Sequence, residues 1–198
     1  MNKADKVIKV LTVLFLSIFF VALITFIIRF FRFETALDNL TYSQNFAPVD
    51  FIIYGSSQDS ISGCFSILDS SGDVIVKIER AWQSEKIFLS FIKVNLKDGA
   101  VYYPYKIYGN RFLSKKSGID LSLYYMSKGK CSIFASNTDK EQKEYLDTVA
   151  RYALNSQFRS LFSNISIETL DLSVCNSGKE YIAGIDKRGE LFIYALDE

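Results

Sequence analysis

"VLTVLFLSIFFVALITFII", residues 10–28, is a stretch of nineteen residues without a charge, bounded by Lys9 and Arg29. A helix of this length is ~28 Å long at ~1.5 Å per residue, which matches the ~30 Å hydrocarbon core of a bilayer. The apolar core of a secretory signal usually has only ~7 to 15 residues, and small residues follow it at the cleavage site. Here "RFFRFE" follows. The sequence therefore predicts a transmembrane helix over residues 10–28 that stays in the protein as a signal anchor in the lipid bilayer.

The charges that flank this stretch bear on its orientation. Three lysines precede it and two arginines follow it: Lys3, Lys6, Lys9, Arg29 and Arg32. Basic residues are retained on the cytoplasmic side of a membrane. The excess before the helix favours a short basic cytoplasmic tail at residues 1–9 and a C-terminal domain outside the cytoplasm.

The chain beyond the membrane divides into a stalk and one domain. Helical spacing continues through Phe33, Ala36, Leu37 and Leu40, so we expect residues 29–47 to form a juxtamembrane stalk. Pro48 marks the entry to a single extracytoplasmic domain, residues 48–198. A domain of this length can bury a core without disulfides or metals.

Composition excludes several functional classes. The chain has no histidine, which rules out Ser-His-Asp and Cys-His catalysis and metal sites with histidine ligands. Cys64, Cys131 and Cys175 contain no Cys-x-x-Cys pair. Two of them could form a disulfide and leave one free thiol; the commoner alternative is that all three are small buried residues. The net charge of +1 combines +4 in residues 1–33 with −3 in residues 34–198. The domain therefore lacks a basic balance, and we expect no nucleic-acid partner. We also expect no cofactor, because the chain has no glycine-rich phosphate loop.

The domain itself shows alternating and helical patterns in turn. Period-two alternation predicts strands near residues 74–79 and 101–108, and the run 87–92, apolar on both faces, predicts a central strand. "ILDSSGDVIV" and "GIDKRGELFI" each place an Asp three residues before a Gly, which is typical of a hairpin turn. Further strands are expected near 166–174, 180–186 and 190–196.

One amphipathic helix is predicted over residues 139–163. Thr138 and Glu141 have the spacing of a capping box. An apolar arc on this helix carries Leu146, Val149, Ala150, Ala153, Leu154 and Leu161, with Gln157 in its middle. The predicted fold class is therefore α+β: an N-terminal transmembrane helix followed by a mainly antiparallel β domain with this helix packed on the sheet.

A basic stretch within the domain is the candidate contact surface. Pro104 lacks a backbone N–H, so the strand that carries it should lie at a sheet edge, where a protein partner could add a strand near residues 100–108. The outward face of this edge and the chain beyond it would present eight basic and aromatic residues: Tyr102, Lys106, Tyr108, Arg111, Lys115, Lys116, Lys128 and Lys130. Two commoner explanations are a solvated face and an edge protected against aggregation.

The function expected from these features is that of a single-pass, membrane-anchored extracytoplasmic binding or assembly protein without catalytic activity. One alternative is a membrane-anchored hydrolase that uses a carboxylate pair or a Lys-activated Ser. Ser90 and Lys93 have the Ser-x-x-Lys spacing, but a strand would point them to opposite sides. A second alternative is a module that binds lipid headgroups or glycans through the basic stretch.

Overall fold

The computed structural model describes residues 3–41, 44, 46–110, 118–134, 138–186 and 189–196, with backbone alone for residues 3–7. Its helices are α1 (Lys3–Asn39), α2 (Ser122–Tyr125), α3 (Lys140–Ala153) and α4 (Ser156–Arg159). Its strands are β1 (Val49–Ser56), β2 (Ile61–Leu68), β3 (Val74–Trp82), β4 (Ile87–Leu96), β5 (Gly99–Gly109), β6 (Ile119–Asp120), β7 (Met126–Ser127), β8 (Lys130–Cys131), β9 (Ile165–Asp171), β10 (Glu180–Ile185) and β11 (Leu191–Ala195). The predicted α+β class is confirmed.

Helix α1 is one continuous element of 37 residues. Its apolar part is exposed on every side and is long and apolar enough to cross a membrane once. Ser and Thr hydroxyls within it bond back to carbonyls four residues earlier, as at Thr12 and Ser17. The helix is therefore compatible with a membrane anchor, because its backbone groups form their hydrogen bonds within the helix and need no water along that length.

The end of α1 belongs to the core of the domain. Phe33, Ala36, Leu37 and Leu40 are buried, and the first of them is 0% exposed. The predicted helical spacing is confirmed from Phe33 to Leu37, and Leu40 lies just beyond the end of the helix. The segment is not a free stalk, because the same four side chains pack in the hydrophobic core that contains both sheets.

Two antiparallel sheets share that core. The first has five strands in the order β11-β10-β1-β2-β3, and the second has four in the order β6-β5-β4-β9. The predicted central strand at 87–92 lies within β4, between β5 and β9. Both predicted hairpin turns are confirmed: Asp69 Oδ1 accepts from the Ser71 and Asp73 amides, and the second turn repeats this with Asp186 and the Glu190 amide. Gly72 and Gly189 adopt the positive φ that these turns require.

The helix predicted over 139–163 is shorter than expected. Helix α3 ends at Ala153, and Asn155 begins α4 by accepting hydrogen bonds from the Gln157 and Phe158 amides. Because of this break, Gln157 is exposed and Leu161 is 56% exposed, so their placement on a continuous buried arc was wrong.

The predicted capping box at the start of α3 is also wrong. The residue preceding α3 is Asp139, which makes no side-chain capping bond, and Glu141 instead accepts from Tyr145 Oη four residues later. Helix α3 packs mainly against the end of α1 and against β8. Its Gln142 side chain donates to the Asn39 carbonyl and accepts from the Thr41 amide, which satisfies one carbonyl at the C-terminus of α1.

The three cysteines are free thiols, and no disulfide joins them. Cys64 and Cys131 are buried, and Cys175 is half-buried. Burial raises the pKa of the Cys131 thiol to about 12, so the thiol stays protonated at neutral pH. These residues therefore pack as small apolar side chains.

Candidate functional site at the junction of helix and domain

Strand β5 is not the open edge that the sequence predicted. It lies between β4 and β6, and β6 pairs with Lys106 and Ile107. Nearer its start, the Tyr102 amide donates to Gln44 Oε1, and the carbonyl of Pro104 accepts from a tyrosine hydroxyl. Strand addition at residues 102–107 is therefore blocked by groups of the chain itself.

A bulge explains both the proline and the error in the predicted face. Phe91 pairs with Pro104 while Ser90 pairs with Lys106, so Tyr105 has no partner in β4. Proline is tolerated at bulges as well as at edges. One extra residue also exchanges the two faces of a strand.

Tyr102 consequently does not share a face with Lys106 and Tyr108. It is fully buried, and its hydroxyl donates to the Gly189 carbonyl at 2.7 Å. The Lys93 ammonium lies 5.4 Å from the Tyr102 ring centroid. The prediction of an outward-facing Tyr102 is wrong.

The other members of the predicted contact surface are scattered. Lys106 and Tyr108 are half-buried on β5, where Tyr108 stacks on Phe88. Lys128 and Lys130 are exposed on the β7–β8 hairpin, a separate two-stranded sheet. Arg111, Lys115 and Lys116 lie outside the described residues. Binding of a partner to this side of the domain stays a prediction. The open strand edge that motivated it is absent from the described part of β5.

Ser90 and Lys93 do not form a catalytic pair. Ser90 Oγ bonds to Thr169 Oγ1 at 2.9 Å, while Lys93 Nζ pairs with Glu168 Oε1 at 2.8 Å. Glu168 and Thr169 are consecutive in β9, so their partners on β4 point to opposite faces of the sheet. The hydrogen bond with Glu168 is the main cause of a raised pKa for Lys93, which keeps this amine charged and unsuited to act as a base. Over the described ranges, no three Cys, Asp or Glu side chains are grouped so as to hold a metal ion.

The structure brings together a different set of residues, where α1 meets α3 and α4. We call them the junction cluster: Phe26, Phe30, Phe33, Tyr152, Phe158 and Phe162. Phe33 lies at its centre, with ring centroids 4.5 Å from Phe162 and 5.7 Å from Phe158. Phe30 stacks on Phe162 at 5.3 Å. The cluster fixes the direction in which the exposed part of α1 leaves the domain.

Two grooves flank α1 at this junction. We call the first the arginine groove: it has a volume of about 540 Å³, and its walls include Phe31, Arg32 and Thr35 of α1. Its other wall comes from α3 and includes Tyr145 and Arg151. Arg151 donates to the Gly129 carbonyl, whereas the exposed Arg32 forms no ion pair with any described residue.

The second groove lies nearer the N-terminus of α1, and we call it the apolar groove. It has a volume of about 460 Å³ and runs between α1 and residues 155–162, which we call the α4 turn. Its walls are Ala22, Thr25, Phe26, Arg29, Asn155, Gln157, Phe158 and Leu161. Part of this groove is therefore formed by the stretch that the sequence assigns to the membrane.

Sequence reasoning missed the junction, although a signal for it was present. Phe26, Phe30 and Phe33 have the i, i+4, i+7 spacing of one helix face, as do Phe158 and Phe162 at i, i+4. Within an apolar stretch such a stripe does not stand out, and no sequence pattern pairs it with a segment some 130 residues away. No family model matches this chain, and neither a curated protein nor a solved structure matches it.

Proposed function

We propose that this is a single-pass membrane protein in which α1 remains as a signal anchor and holds one α+β domain outside the cytoplasm as a non-catalytic binding or assembly module. The observation that carries the proposal is the continuity of α1. The same helix has an exposed apolar surface up to Ile28 and a fully buried side chain at Phe33. Exposed apolar surface of that extent, on a helix of spanning length, supports contact with lipid.

The junction also supports retention of the anchor over cleavage. A signal peptidase needs small residues at its cleavage site. The chain after Ile28 is helical instead and carries Phe30 and Phe33, which pack on Phe162. Cleavage after Phe33 would remove Phe30 and Phe33 and expose the aromatic rings of the domain that pack on them, such as Phe162.

Orientation and the lack of catalysis rest on separate arguments. Three lysines before the apolar stretch against two arginines after it favour a cytoplasmic N-terminus. The separation of Ser90 from Lys93 on opposite faces of β4 supports a binding role over hydrolysis by a Lys-activated serine.

The test uses the full chain with an epitope at the N-terminus and a topology reporter at the C-terminus. We expect the mature protein to keep the epitope, to stay in the membrane after alkaline carbonate extraction, and to activate a reporter that works only outside the cytoplasm. Loss of the epitope together with release of the domain would refute the proposal that α1 remains as an anchor. A reporter active only in the cytoplasm would reverse the orientation.

The arginine groove favours anionic headgroups as a second candidate function. Arg32 lies four residues beyond Ile28, which is ~6 Å at ~1.5 Å per residue and places it at headgroup level. An arginine without an ion pair suits a phosphate group. We expect added anionic lipid to raise the melting temperature of the wild-type protein in neutral detergent and to have less effect on Arg32→Gln. Arg29→Gln, which changes the other groove, is the matched control, and an equal loss in both variants would argue against a specific site.

A further inference from the structure

The α4 turn contacts α1 at Phe26, within the apolar stretch, and the apolar groove between them extends back to Ala22. The ring of Phe158 lies 6.4 Å from that of Phe26, and Leu161 lines the apolar groove together with Ala22. Ala22 precedes the end of the stretch at Ile28 by six residues. At ~1.5 Å per residue, the groove reaches ~9 Å back along the helix from that end.

The apolar stretch is just long enough to span the bilayer, so the hydrocarbon core has to include the part of α1 that lies beside the α4 turn. If the membrane ended where the apolar groove begins, at Ala22, only residues 10–21 would remain, a length of ~18 Å against the ~30 Å of a hydrocarbon core. Moving the span toward the N-terminus would bring Lys9 and Lys6 into the hydrocarbon, which is costly. The stretch must be immersed as far as Ile28, and the α4 turn with it.

Several backbone groups of the turn meet the requirement of such a position. Within a membrane, polar backbone groups must be satisfied by the protein itself. Asn155 Oδ1 accepts from the Gln157 and Phe158 amides, and the Arg159 amide donates to the Asn155 carbonyl at 2.8 Å. The Leu161 amide donates to the Phe158 carbonyl at 3.1 Å.

Two side chains of the turn, Leu161 and Arg159, suit the same position. Leu161 is 56% exposed and lies beside the exposed part of Phe26 in the apolar groove. The charge of Arg159 is turned toward the domain, because its guanidinium lies 4.9 Å from the Tyr105 ring centroid and donates to the Ala153 carbonyl. Leu161 thus presents an exposed apolar side chain at the level of the membrane, while the charge of Arg159 is held against the domain.

From these contacts we propose that the α4 turn is inserted in the extracytoplasmic leaflet beside α1, with Leu161 among the lipid acyl chains. The inference rests on the proposed function, since it requires α1 to span a bilayer. It adds a second membrane contact, which would hold the domain at one height and one tilt above the membrane.

The test is quenching of tryptophan fluorescence by lipids with brominated acyl chains, in vesicles that contain the full-length protein. Leu161→Trp reports on the α4 turn, and Leu16→Trp reports on the middle of the apolar stretch. Val174→Trp is the matched control, because Val174 is an exposed apolar residue in the 3-10 helix Leu172–Val174, which follows the end of β9 that is farther from the turn. The native Trp82 is 5% exposed, and its emission in the wild type is subtracted.

We expect brominated lipid to reduce the emission of Leu161→Trp and Leu16→Trp about twofold and to leave Val174→Trp unchanged. Quenching at Leu16→Trp but not at Leu161→Trp would overturn the insertion and leave the anchor standing. Absence of quenching at both positions would overturn the anchor as well. Urea unfolding followed by circular dichroism checks that each variant is folded.

Discussion

Replacing Phe33 by alanine tests whether the end of α1 is part of the core of the domain. Phe33 is 0% exposed, and its ring packs against Tyr152, Phe158 and Phe162. Deleting a buried phenylalanine ring costs about 3–5 kcal/mol, through the lost burial and the cavity that remains. Domains of this size are stable by only about 5–15 kcal/mol, so the substitution should remove between about a fifth and all of the free energy of unfolding.

The measurement is urea unfolding of the full chain in detergent micelles, followed by the emission of Trp82, the single tryptophan. With a slope of about 2 kcal/mol per M, the expected loss lowers the unfolding midpoint by about 2 M. Phe31→Ala is the control: it makes the same deletion on the same helix, but Phe31 is 64% exposed. Its effect should stay within about 0.5 kcal/mol. Equal effects of the two substitutions would refute the integration of α1 into the core.

Four further outcomes follow from the same contacts. A fragment of residues 48–198 should lack a cooperative thermal transition by circular dichroism, whereas a fragment of residues 29–198 should show one, because only the longer fragment keeps the buried end of α1. Gln142→Ala should lower the free energy of unfolding by about 1–2 kcal/mol in the urea assay, and Gln142→Glu by less, since glutamate keeps the acceptor for one of the two capping bonds. Because burial raises the pKa of Cys131 to about 12, an iodoacetamide pulse near neutral pH should label this thiol only after denaturant is added; rapid labelling of the native protein, read by mass spectrometry, would contradict its burial. The pKa of Lys93 is raised in the folded state, so its contribution to stability is fully present below the unfolded pKa of about 10.4 and is lost as the pH rises through the folded pKa. The advantage of the wild type over Lys93→Met should therefore shrink at strongly alkaline pH, and an advantage that grows with pH would show the sign to be wrong.

The elements that the sequence predicted well are those set by local physics. The uncharged stretch of nineteen residues forms an apolar helix, because each backbone hydrogen bond joins two residues of the helix itself. The hairpin at Asp69 and Gly72 depends on a side-chain hydrogen bond and on a positive φ, both within four residues. The central position of β4 was evident from its two apolar faces.

The break in the helix predicted over 139–163 depended on distant contacts. Periodicity favoured a single helix with Leu161 on its buried face. In the structure Asn155 caps a second helix, and the change of direction brings Phe158 and Phe162 against Phe33. Those ring contacts join residues some 125 positions apart, so no local pattern could report the free energy they contribute.

The face of β5 was decided in the same way. Alternation predicted that Tyr102 shares a face with Lys106, but the bulge at Tyr105 exchanges the two faces of the strand. The only sign of the bulge in the sequence is Pro104, which an edge strand would also explain. Gln44 and the β10–β11 turn then cover Tyr102 from outside the strand.

The sequence by itself thus determined that an apolar helix precedes an α+β domain rich in hairpins, since hydrophobic periodicity and turn chemistry act over a few residues. Only the tertiary structure decided that the last turns of α1, with Phe33 and Leu37, are core and not stalk. It also decided that the α4 turn lies beside the apolar stretch. Both depend on packing between segments far apart in the chain, where the gain comes from surface that the two segments bury in each other and that neither reveals alone.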